Sequence, residues 1–306
     1  MPRGLLQLAA PPANAHGRFA PSPTGTLHLG NLRTALVAWC CARSQGAEFS
    51  LRIEDLDRDR VRPGSEAKQL ADLEAIGIDW DGPILRQSER TTVYEGAIEV
   101  LRDQGLVYEC WCTRSEIRDA ASAPHAAAGT YPGTCRRLSS REIAERRQAG
   151  RPAALRVSAE AAEVEFFDRV HGATAGTVDD FVIARRDGTA SYNLAVTVDD
   201  AAQRIGEIVR GDDLLDATPA QRWLQQKLGY DEPTYTHLPL VRDADGKRSS
   251  KRDASTTLDG QSALGIPPDR VRTSLLASLG LCDDGEQLSS AALLSRFRSI
   301  VVESPE

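Results

Sequence analysis

Residues 18–31 read Arg-Phe-Ala-Pro-Ser-Pro-Thr-Gly-Thr-Leu-His-Leu-Gly-Asn. The first residues predict a short strand, the Pro- and Gly-containing stretch predicts a tight loop, and His28 then stands near the start of a helix. A helix N-terminus offers unpaired backbone N–H groups and a partial positive charge, which both suit phosphate. The segment therefore predicts a strand-loop-helix unit that binds a phosphate-bearing ligand, although an isolated His-x-Gly is equally typical of an ordinary turn.

A second polar segment lies far along the chain, at residues 248–252, and reads Arg-Ser-Ser-Lys-Arg. It follows the apolar stretch 237–241 and gathers cations and hydroxyls in one loop. Lys251 would act there as a mobile point charge that follows a polyphosphate, and Ser249 and Ser250 would add hydroxyl donors. Alone, such a loop is more typical of a solvated surface. Together, the two segments predict the two halves of a nucleoside triphosphate site.

Strands and helices alternate between and around these segments. Residues 49–53 alternate as a strand does, and the apolar run 192–199 predicts a central strand. The spacing of apolar residues predicts helices at 65–76, 89–104, 217–228, 267–279 and 289–298. Such alternation indicates βαβ units, so the predicted fold class is α/β with a mostly parallel sheet.

Composition limits the function classes. The 306 residues are 41% hydrophobic and 26% charged, as in ordinary globular proteins. A net charge of −7 argues against a protein that coats nucleic acid without regard to sequence, yet local arginine clusters leave one face for an RNA partner. No apolar run approaches the roughly 20 residues that cross a bilayer, and the apolar stretch near Met1 is too short to predict a signal peptide. We expect a cytoplasmic monomer without membrane contact.

Three cysteines form the other informative pattern. Cys110, Cys112 and Cys135 occur in a stretch that is rich in Gly and Pro. Three thiolates suit a structural zinc ion, which needs a fourth ligand, and His125 is one chemical choice. The competing interpretation is reduced thiols packed in a small core, as expected for the remaining pair Cys40 and Cys41 on the first helix.

With these segments the chain resembles class I aminoacyl-tRNA synthetases of the glutamyl branch. Their first signature, His-Ile-Gly-His, is similar to residues 28–31, and their second, Lys-Met-Ser-Lys-Ser, is similar to residues 248–252. Two positions depart from the second signature, because Arg248 replaces its first lysine and Ser249 replaces its apolar residue. Segments typical of the branch occur in the same order at 18–22, 52–55, 192–196, 208–213 and 237–240.

The resemblance implies a Rossmann-like class I synthetase catalytic domain with an inserted zinc-bearing acceptor-type region and a short helical C-terminus. The implied organisation is a loose N-terminal tail at 1–16, the two halves of the catalytic domain at 17–107 and 191–258, an insertion with the zinc site at 108–190, and a helical segment at 259–306. The second half of the catalytic domain would carry the cation loop.

The resemblance also implies roles for single residues. His28 and Lys251 would be catalytic and would stabilise charge on the pyrophosphate side. The implied glutamate-binding residues are Arg18, Ser22, Glu54, Tyr192 and Arg210, where the arginines pair with carboxylate and Glu54 accepts from the ammonium group. The implied ATP-binding residues are His28, Gly30, Asn31, Ser250 and Lys251. The implied zinc ligands are Cys110, Cys112, Tyr131 and Cys135, with Tyr131 as the fourth.

Residues 256–306 are all that follows the cation loop, which is too little for the helical anticodon-binding region of a full glutamyl enzyme. The chain thus resembles the truncated members of this branch. That likeness implies activation of L-glutamate with ATP and Mg²⁺ and its transfer to the queuosine base of tRNA(Asp). Two alternatives stay open, namely a minimal or truncated enzyme that charges the 3′ end of tRNA(Glu), and a non-catalytic glutamate-binding paralogue.

Overall fold

The computed structural model describes residues 8–9, 15–113, 115–117, 131–240, 256–299 and 301–302. The helices in these ranges are α1 (Leu29–Arg43), α2 (Ser65–Ala75), α3 (Thr91–Asp103), α4 (Ser140–Gln148), α5 (Tyr192–Ala202), α6 (Thr218–Leu228), α7 (Leu258–Ala263), α8 (Pro268–Ser278) and α9 (Ser290–Ser299). The strands are β1 (Leu8–Ala9), β2 (Gly17–Phe19), β3 (Phe49–Ile53), β4 (Leu85–Arg86), β5 (Val107–Cys110), β6 (Ala154–Val157), β7 (Ala162–Asp168), β8 (Gly172–Val178), β9 (Val182–Ala184), β10 (Glu207–Gly211), β11 (Thr234–Leu238) and β12 (Val301–Val302).

The central sheet confirms the predicted α/β class. Strands β2, β3 and β4 pair in parallel in the order β2-β3-β4, and β10, β11 and β7 pair in parallel in the order β10-β11-β7. The two groups adjoin through a parallel bridge between His16 and Ile205. Because parallel strands end at the same edge, the carboxyl ends of β2, β3, β10 and β11 lie side by side, which is where an open α/β sheet binds its ligand.

Helix α1 is the centre of the main hydrophobic core. Its residues from Ala35 to Ala42 are all buried, in contact with strands on one side and with α8 and α9 on the other. Cys40 and Cys41 belong to this core as expected, and burial raises the pKa of the Cys40 thiol to about 12. Among the described helices, none has the length and apolar character that a membrane crossing requires.

Residues 192–202 form helix α5, so the strand predicted for 192–199 is wrong. Ser191 caps the helix, and its hydroxyl accepts a hydrogen bond from the backbone N–H of Leu194. Every residue from Leu194 to Asp200 is buried, because α5 packs against other elements on all sides. A short apolar run that is buried all round has the same pattern in a strand and in a helix, and this explains the error.

The predicted loose tail is also wrong in part. Leu8 and Ala9 form β1, which pairs in parallel with β12 at the other end of the chain. Leu8 is fully buried in the main core, and Arg169 donates a hydrogen bond of 2.6 Å to the carbonyl of Ala9. This pairing depends on two residues far apart in sequence, so no local pattern could indicate it.

The region between the two halves of the central sheet divides into two parts. Strands β5, β6 and β9 form a separate antiparallel sheet that carries the cysteines. The hairpin of β7 and β8 instead joins the central sheet, because Asp168 of β7 pairs with Tyr235 of β11. The predicted insertion at 108–190 therefore contains a hairpin that extends the catalytic sheet.

Candidate active site

A pocket of about 790 Å³ opens at the carboxyl ends of β2, β3, β10 and β11. This volume suits a small-molecule ligand. All eight predicted glutamate- and ATP-binding residues that the structure describes line it: Arg18, Ser22, His28, Gly30, Asn31, Glu54, Tyr192 and Arg210. The structure thus brings residues from four separate segments of the chain to one cavity, while their individual roles stay predictions.

His28 caps the N-terminus of α1, as the sequence predicted. Its backbone N–H donates to the side-chain oxygen of Asn31 at 3.1 Å, which closes the first turn. Its ring Nδ1 lies 3.1 Å from Thr256 Oγ1, and its backbone forms an antiparallel bridge with Thr257. The first signature therefore lies next to Thr256 and Thr257, the first described residues after the segment of the second signature.

The predicted cation-loop residues, Ser249, Ser250, Lys251 and the flanking arginines, lie outside the described residues, and so does His125. Thr256 and Thr257 mark where the described chain resumes, and both lie against His28. Asp213 lines the pocket nearby. The predicted roles of Ser250 and Lys251 therefore stay predictions.

Arg18 is held from behind by a buried carboxylate. Its Nε and Nη2 donate to the two carboxylate oxygens of Asp200 at 3.1 and 3.2 Å, and its Nη1 donates to the carbonyl of Val209 at 3.3 Å. Both side chains are only 4% exposed. One hydrogen on each Nη remains for a ligand in the pocket, so Asp200 fixes the guanidinium while leaving its outer edge for a carboxylate.

Asp200 also organises the neighbouring strand. Arg52 is fully buried, and its Nη1 donates to Asp200 at 2.7 Å while its Nη2 donates to Glu54 at 3.2 Å. Burial alone would raise the pKa of Asp200, but the two guanidinium groups hold it below its ordinary value. Burial is also the main influence on Glu54, and there it prevails over Arg52 and raises the pKa. A cationic group in the pocket would stabilise the charged form of Glu54, which burial disfavours.

Arg210 differs from Arg18 because its partners are all neutral acceptors. Its Nε donates to His237 Nε2 at 2.9 Å, its Nη1 to Gln221 at 2.7 Å and its Nη2 to Thr218 at 2.8 Å. The residue is 6% exposed, and it forms no ion pair with any carboxylate of the described residues. A buried cation without a counter-ion is costly. The geometry therefore favours an anionic ligand beside Arg210.

Two other predicted residues, Ser22 and Tyr192, complete the lining of the pocket. Tyr192 begins helix α5 and lines the pocket from its open side, with 40% of its surface exposed. Ser22 lies in the loop after β2, and Gln69 of helix α2 donates from Nε2 to the carbonyls of Ser22 at 3.0 Å and Gly25 at 2.6 Å. Gly25 adopts a φ of +149°, which an L side chain rarely takes. The loop shape thus depends on one glycine and one buried amide.

A second cluster lies on the antiparallel sheet at the end of β5. The Sγ atoms of Cys110, Cys112 and Cys135 lie within 4.8 Å of one another. The Tyr131 hydroxyl is 3.4 Å from Cys110 Sγ and 3.6 Å from Cys112 Sγ, and the Cys135 backbone N–H donates to it at 2.9 Å. Three sulfurs and one phenol oxygen converge on one point, so this donor set fits a tetrahedral metal ion.

Arginines support this cluster from outside. Arg156 donates to Cys110 Sγ at 3.3 Å and stacks over the Tyr131 ring at 4.0 Å. Arg186 donates to the carbonyls of Trp111 at 2.8 Å and Cys112 at 2.9 Å. The Cys-x-Cys turn is therefore fixed by side chains from β6 and from the residues that follow β9.

Several residues that shape the pocket were not assigned a role from the sequence. Asp200 and Gln69 lie inside helices, Arg52 lies in a strand, and His237 lies in the branch-typical segment 237–240. For Asp200 the one sequence signal is a charged residue at the end of an apolar run, residues 194–200, whereas Gln69 lies in a mostly polar stretch and gives no such signal. That signal indicates a buried polar contact but not the partner.

Comparisons with known proteins agree with this architecture. Residues 14–291 match the family described as tRNA synthetases class I (E and Q), catalytic domain. The chain is 56% identical to a protein from Nocardia farcinica that is named glutamyl-Q tRNA(Asp) synthetase, across 90% of this chain and 88% of that relative. A protein of the same name from Symbiobacterium thermophilum is 43% identical, across 92% of this chain and 91% of the relative.

A solved structure is similar as well. The glutamate tRNA ligase from Elizabethkingia meningosepticum, crystallised in complex with its amino acid, superposes with a TM-score of 0.81 at 28% identity. The match covers 95% of this chain but only 66% of the ligase, so this chain spans slightly less than two thirds of that protein. The family match, the close relatives and the shared fold together show that this chain belongs to the class I tRNA synthetases, in the E and Q catalytic-domain family.

Proposed function

We propose that this protein activates L-glutamate with ATP and transfers the glutamyl group to the queuosine base of tRNA(Asp). The observation that carries the proposal is the pocket itself, where the buried Arg210, without a carboxylate partner among the described residues, lies with Arg18, Glu54 and a helix N-terminus. The names of the relatives from Nocardia farcinica and Symbiobacterium thermophilum support the choice of acceptor.

The charges around the pocket match those of glutamate. Arg210 and Arg18 each keep free Nη hydrogens that can pair with a carboxylate in bidentate geometry. Glu54 lies at the carboxyl end of β3 and would accept a hydrogen bond from the substrate ammonium group. Ser22 and Tyr192 would orient the amino acid through their hydroxyls. An amino acid with one ammonium and two carboxylate groups satisfies all of these side chains.

The ATP side lies at the N-terminus of α1. In the first step, an oxygen of the glutamate α-carboxylate attacks the α-phosphorus of ATP, the new P–O bond forms, and the bond to pyrophosphate breaks. Positioning and charge stabilisation supply most of the catalysis in such a transfer. His28 and Lys251 would stabilise charge on the pyrophosphate, and Gly30, Asn31 and Ser250 would also contact ATP. Mg²⁺ would enter with ATP and would supply further positive charge to the phosphates.

In the second step, a hydroxyl of the queuosine side group attacks the carbonyl carbon of glutamyl-adenylate. A C–O ester bond forms, the bond between the carbonyl carbon and the phosphate oxygen of AMP breaks, AMP leaves intact, and the hydroxyl proton is released. The described residues that line the pocket offer no base other than carboxylates and His28 for the hydroxyl proton. The tRNA substrate is used in the cytoplasm, so we place the protein there. We also expect it to act as a monomer.

Zinc is the ion we propose for the cysteine cluster. Cys110, Cys112 and Cys135 would bind it as thiolates and Tyr131 would be the fourth ligand. The ion would supply a structural cross-link between β5 and the turn at Cys135. No step of the glutamyl transfer passes through it, because the cluster lies on the antiparallel sheet and does not line the pocket.

The proposal is tested by supplying labelled glutamate and ATP with tRNA(Asp) that carries queuosine, tRNA(Asp) that lacks it, and tRNA(Glu). We expect label only on queuosine-containing tRNA(Asp). Label on tRNA(Glu) would favour the minimal glutamyl-tRNA synthetase instead. Absence of glutamate-dependent pyrophosphate exchange would favour a non-catalytic glutamate-binding paralogue. Lys251→Ala should greatly reduce exchange while leaving glutamate binding nearly intact, and equal activity in that variant would remove Lys251 from the mechanism.

A further inference from the structure

Three buried side chains, each hydrogen-bonded to the next, connect the end of β7 to the pocket. His237 of β11 is fully buried, and its Nδ1 lies 2.6 Å from the carboxylate of Asp168 at the end of β7. Its other ring nitrogen, Nε2, lies 2.9 Å from Nε of Arg210. Asp168 is also fully buried, so a carboxylate, an imidazole and a guanidinium follow one another without solvent between them.

The hydrogen bonds determine where the imidazole proton is. Arg210 can only donate, so Nε2 of His237 must accept and carry no proton. The single proton of the neutral ring is then on Nδ1 and is donated to Asp168 Oδ2. Burial together with the nearby Arg210 outweighs Asp168 and lowers the pKa of His237, which agrees with a neutral ring.

Asp168 is itself held in one orientation. Its Oδ1 accepts hydrogen bonds from the backbone N–H groups of Val170 and His171, both at 2.9 Å. Its Oδ2 accepts from the backbone N–H of His237 at 3.1 Å as well as from the ring. The carboxylate therefore cannot turn without breaking several bonds, and it orients the ring rigidly.

We propose that Asp168 and His237 are positioning residues for Arg210, and that they let this arginine bind the substrate carboxylate. Asp168 supplies a negative charge that is separated from the guanidinium by the imidazole ring. His237 accepts only from Nε of Arg210. A direct carboxylate partner would neutralise the guanidinium, as Asp200 does at Arg18. The neutral intermediary leaves Arg210 with an unneutralised charge that faces the pocket. This inference rests on the proposed binding of glutamate at Arg210.

Substitutions at position 237 separate positioning from packing. His237→Gln places an amide oxygen where Nε2 was, so it keeps an acceptor for Arg210, whereas His237→Leu removes it. Thr236→Val is the matched control, because Thr236 is the next residue of the same strand, is fully buried and donates to Glu207 on the opposite face. The measurements are dissociation constants for L-glutamate and for ATP by calorimetry, and the unfolding temperature.

We expect His237→Leu to weaken glutamate binding about tenfold to a hundredfold, as for loss of a hydrogen bond to a charged group, with ATP binding unchanged. His237→Gln should restore most of the affinity, and Thr236→Val should lower only the unfolding temperature. Equal loss of glutamate binding in the Leu and Gln variants, or parallel loss of ATP binding, would overturn the proposal.

A measurement on the unsubstituted protein covers the case in which His237→Leu does not fold. Histidine labelled with ¹⁵N reports which ring nitrogen is protonated, and His237→Gln identifies the signal among the five histidines. We expect a neutral ring protonated on Nδ1, with an Nε2 signal that shifts when glutamate is added. A proton on Nε2 would overturn the proposal. If the ring has the expected tautomer but no glutamate binds, the proposed function fails and the hydrogen-bond chain stands.

Discussion

Replacing Asp200 by asparagine tests whether the buried ion cluster serves the pocket. Asp200 accepts hydrogen bonds from Arg18 at 3.1 and 3.2 Å and from Arg52 at 2.7 Å. In Asp200→Asn one oxygen becomes an NH₂ group that faces a guanidinium donor. Arg52 still has Glu54 as an ionic partner, whereas Arg18 loses its carboxylate partner and keeps only neutral acceptors, the carbonyl of Val209 and the remaining side-chain oxygen at position 200. The substitution should therefore affect Arg18 most.

The magnitude follows from breaking a buried ion pair. Leaving one charge uncompensated costs about 3–5 kcal/mol, and the remaining partners of Arg52 favour the lower value, about 3 kcal/mol. For a chain of 306 residues that corresponds to a fall in Tm of about 5 °C. Because Arg18 would lose its fixed orientation, the KM for glutamate should rise about tenfold or more, and the KM for ATP should stay within about twofold.

The control is Glu207→Gln. Glu207 is 1% exposed and pairs with Arg169, so its substitution also breaks a buried ion pair, but neither residue lines the pocket. Pyrophosphate exchange and thermal unfolding are measured on both variants. Glu207→Gln should lose stability and keep its KM for glutamate. An equal rise of this KM in both variants, or no rise in Asp200→Asn, would refute the argument that Asp200 positions Arg18.

The pH dependence of stability gives a second check on Asp200. Its pKa is lowered in the folded protein, so its contribution is present above the unfolded value of about 3.9 and is lost as pH falls through the lower folded value. The difference in unfolding free energy between the protein and Asp200→Asn should therefore be constant near pH 7 and shrink in acid. A difference that grows below pH 4 would contradict this assignment.

Three further predictions concern other parts of the molecule. Burial raises the pKa of Glu54, so the affinity for glutamate should increase with pH as this carboxyl group loses its proton. Glu54→Gln should remove this pH dependence, and an unchanged profile in the variant would contradict the contact between Glu54 and the ammonium group. Cys135→Ser should remove about one equivalent of zinc measured by mass spectrometry, whereas Cys40→Ser, at a core thiol outside the cluster, should retain it; zinc retained in Cys135→Ser would contradict the ligand assignment. Gln69→Leu removes two hydrogen bonds to the loop at 22–25, so it should speed amide hydrogen exchange there and raise the KM for glutamate several-fold; unchanged exchange would rule out the clamp.

Much of the secondary structure could be predicted because apolar spacing is a local property. Helices α2, α3, α6, α8 and α9 lie within a few residues of their predicted positions, and Gly229 ends α6 in the left-handed conformation. The predicted strand at 192–199 was wrong because α5 is buried on all sides and shows no polar face. The pairing of β1 with β12 was missed because its hydrogen bonds connect the two ends of the chain.

The amino-acid sequence alone was enough to predict the family, the α/β class and eight of the residues that line the pocket, because each signature is a short segment whose residue types have a local chemical reason. The packing of the folded chain was needed to show that Asp200 neutralises Arg18 while Arg210 has neutral partners. The two arginines are equivalent in sequence terms. Their difference depends on which side chains the parallel register and the packing of α5 bring within about 3 Å, and electrostatic energy in a buried site depends steeply on that distance.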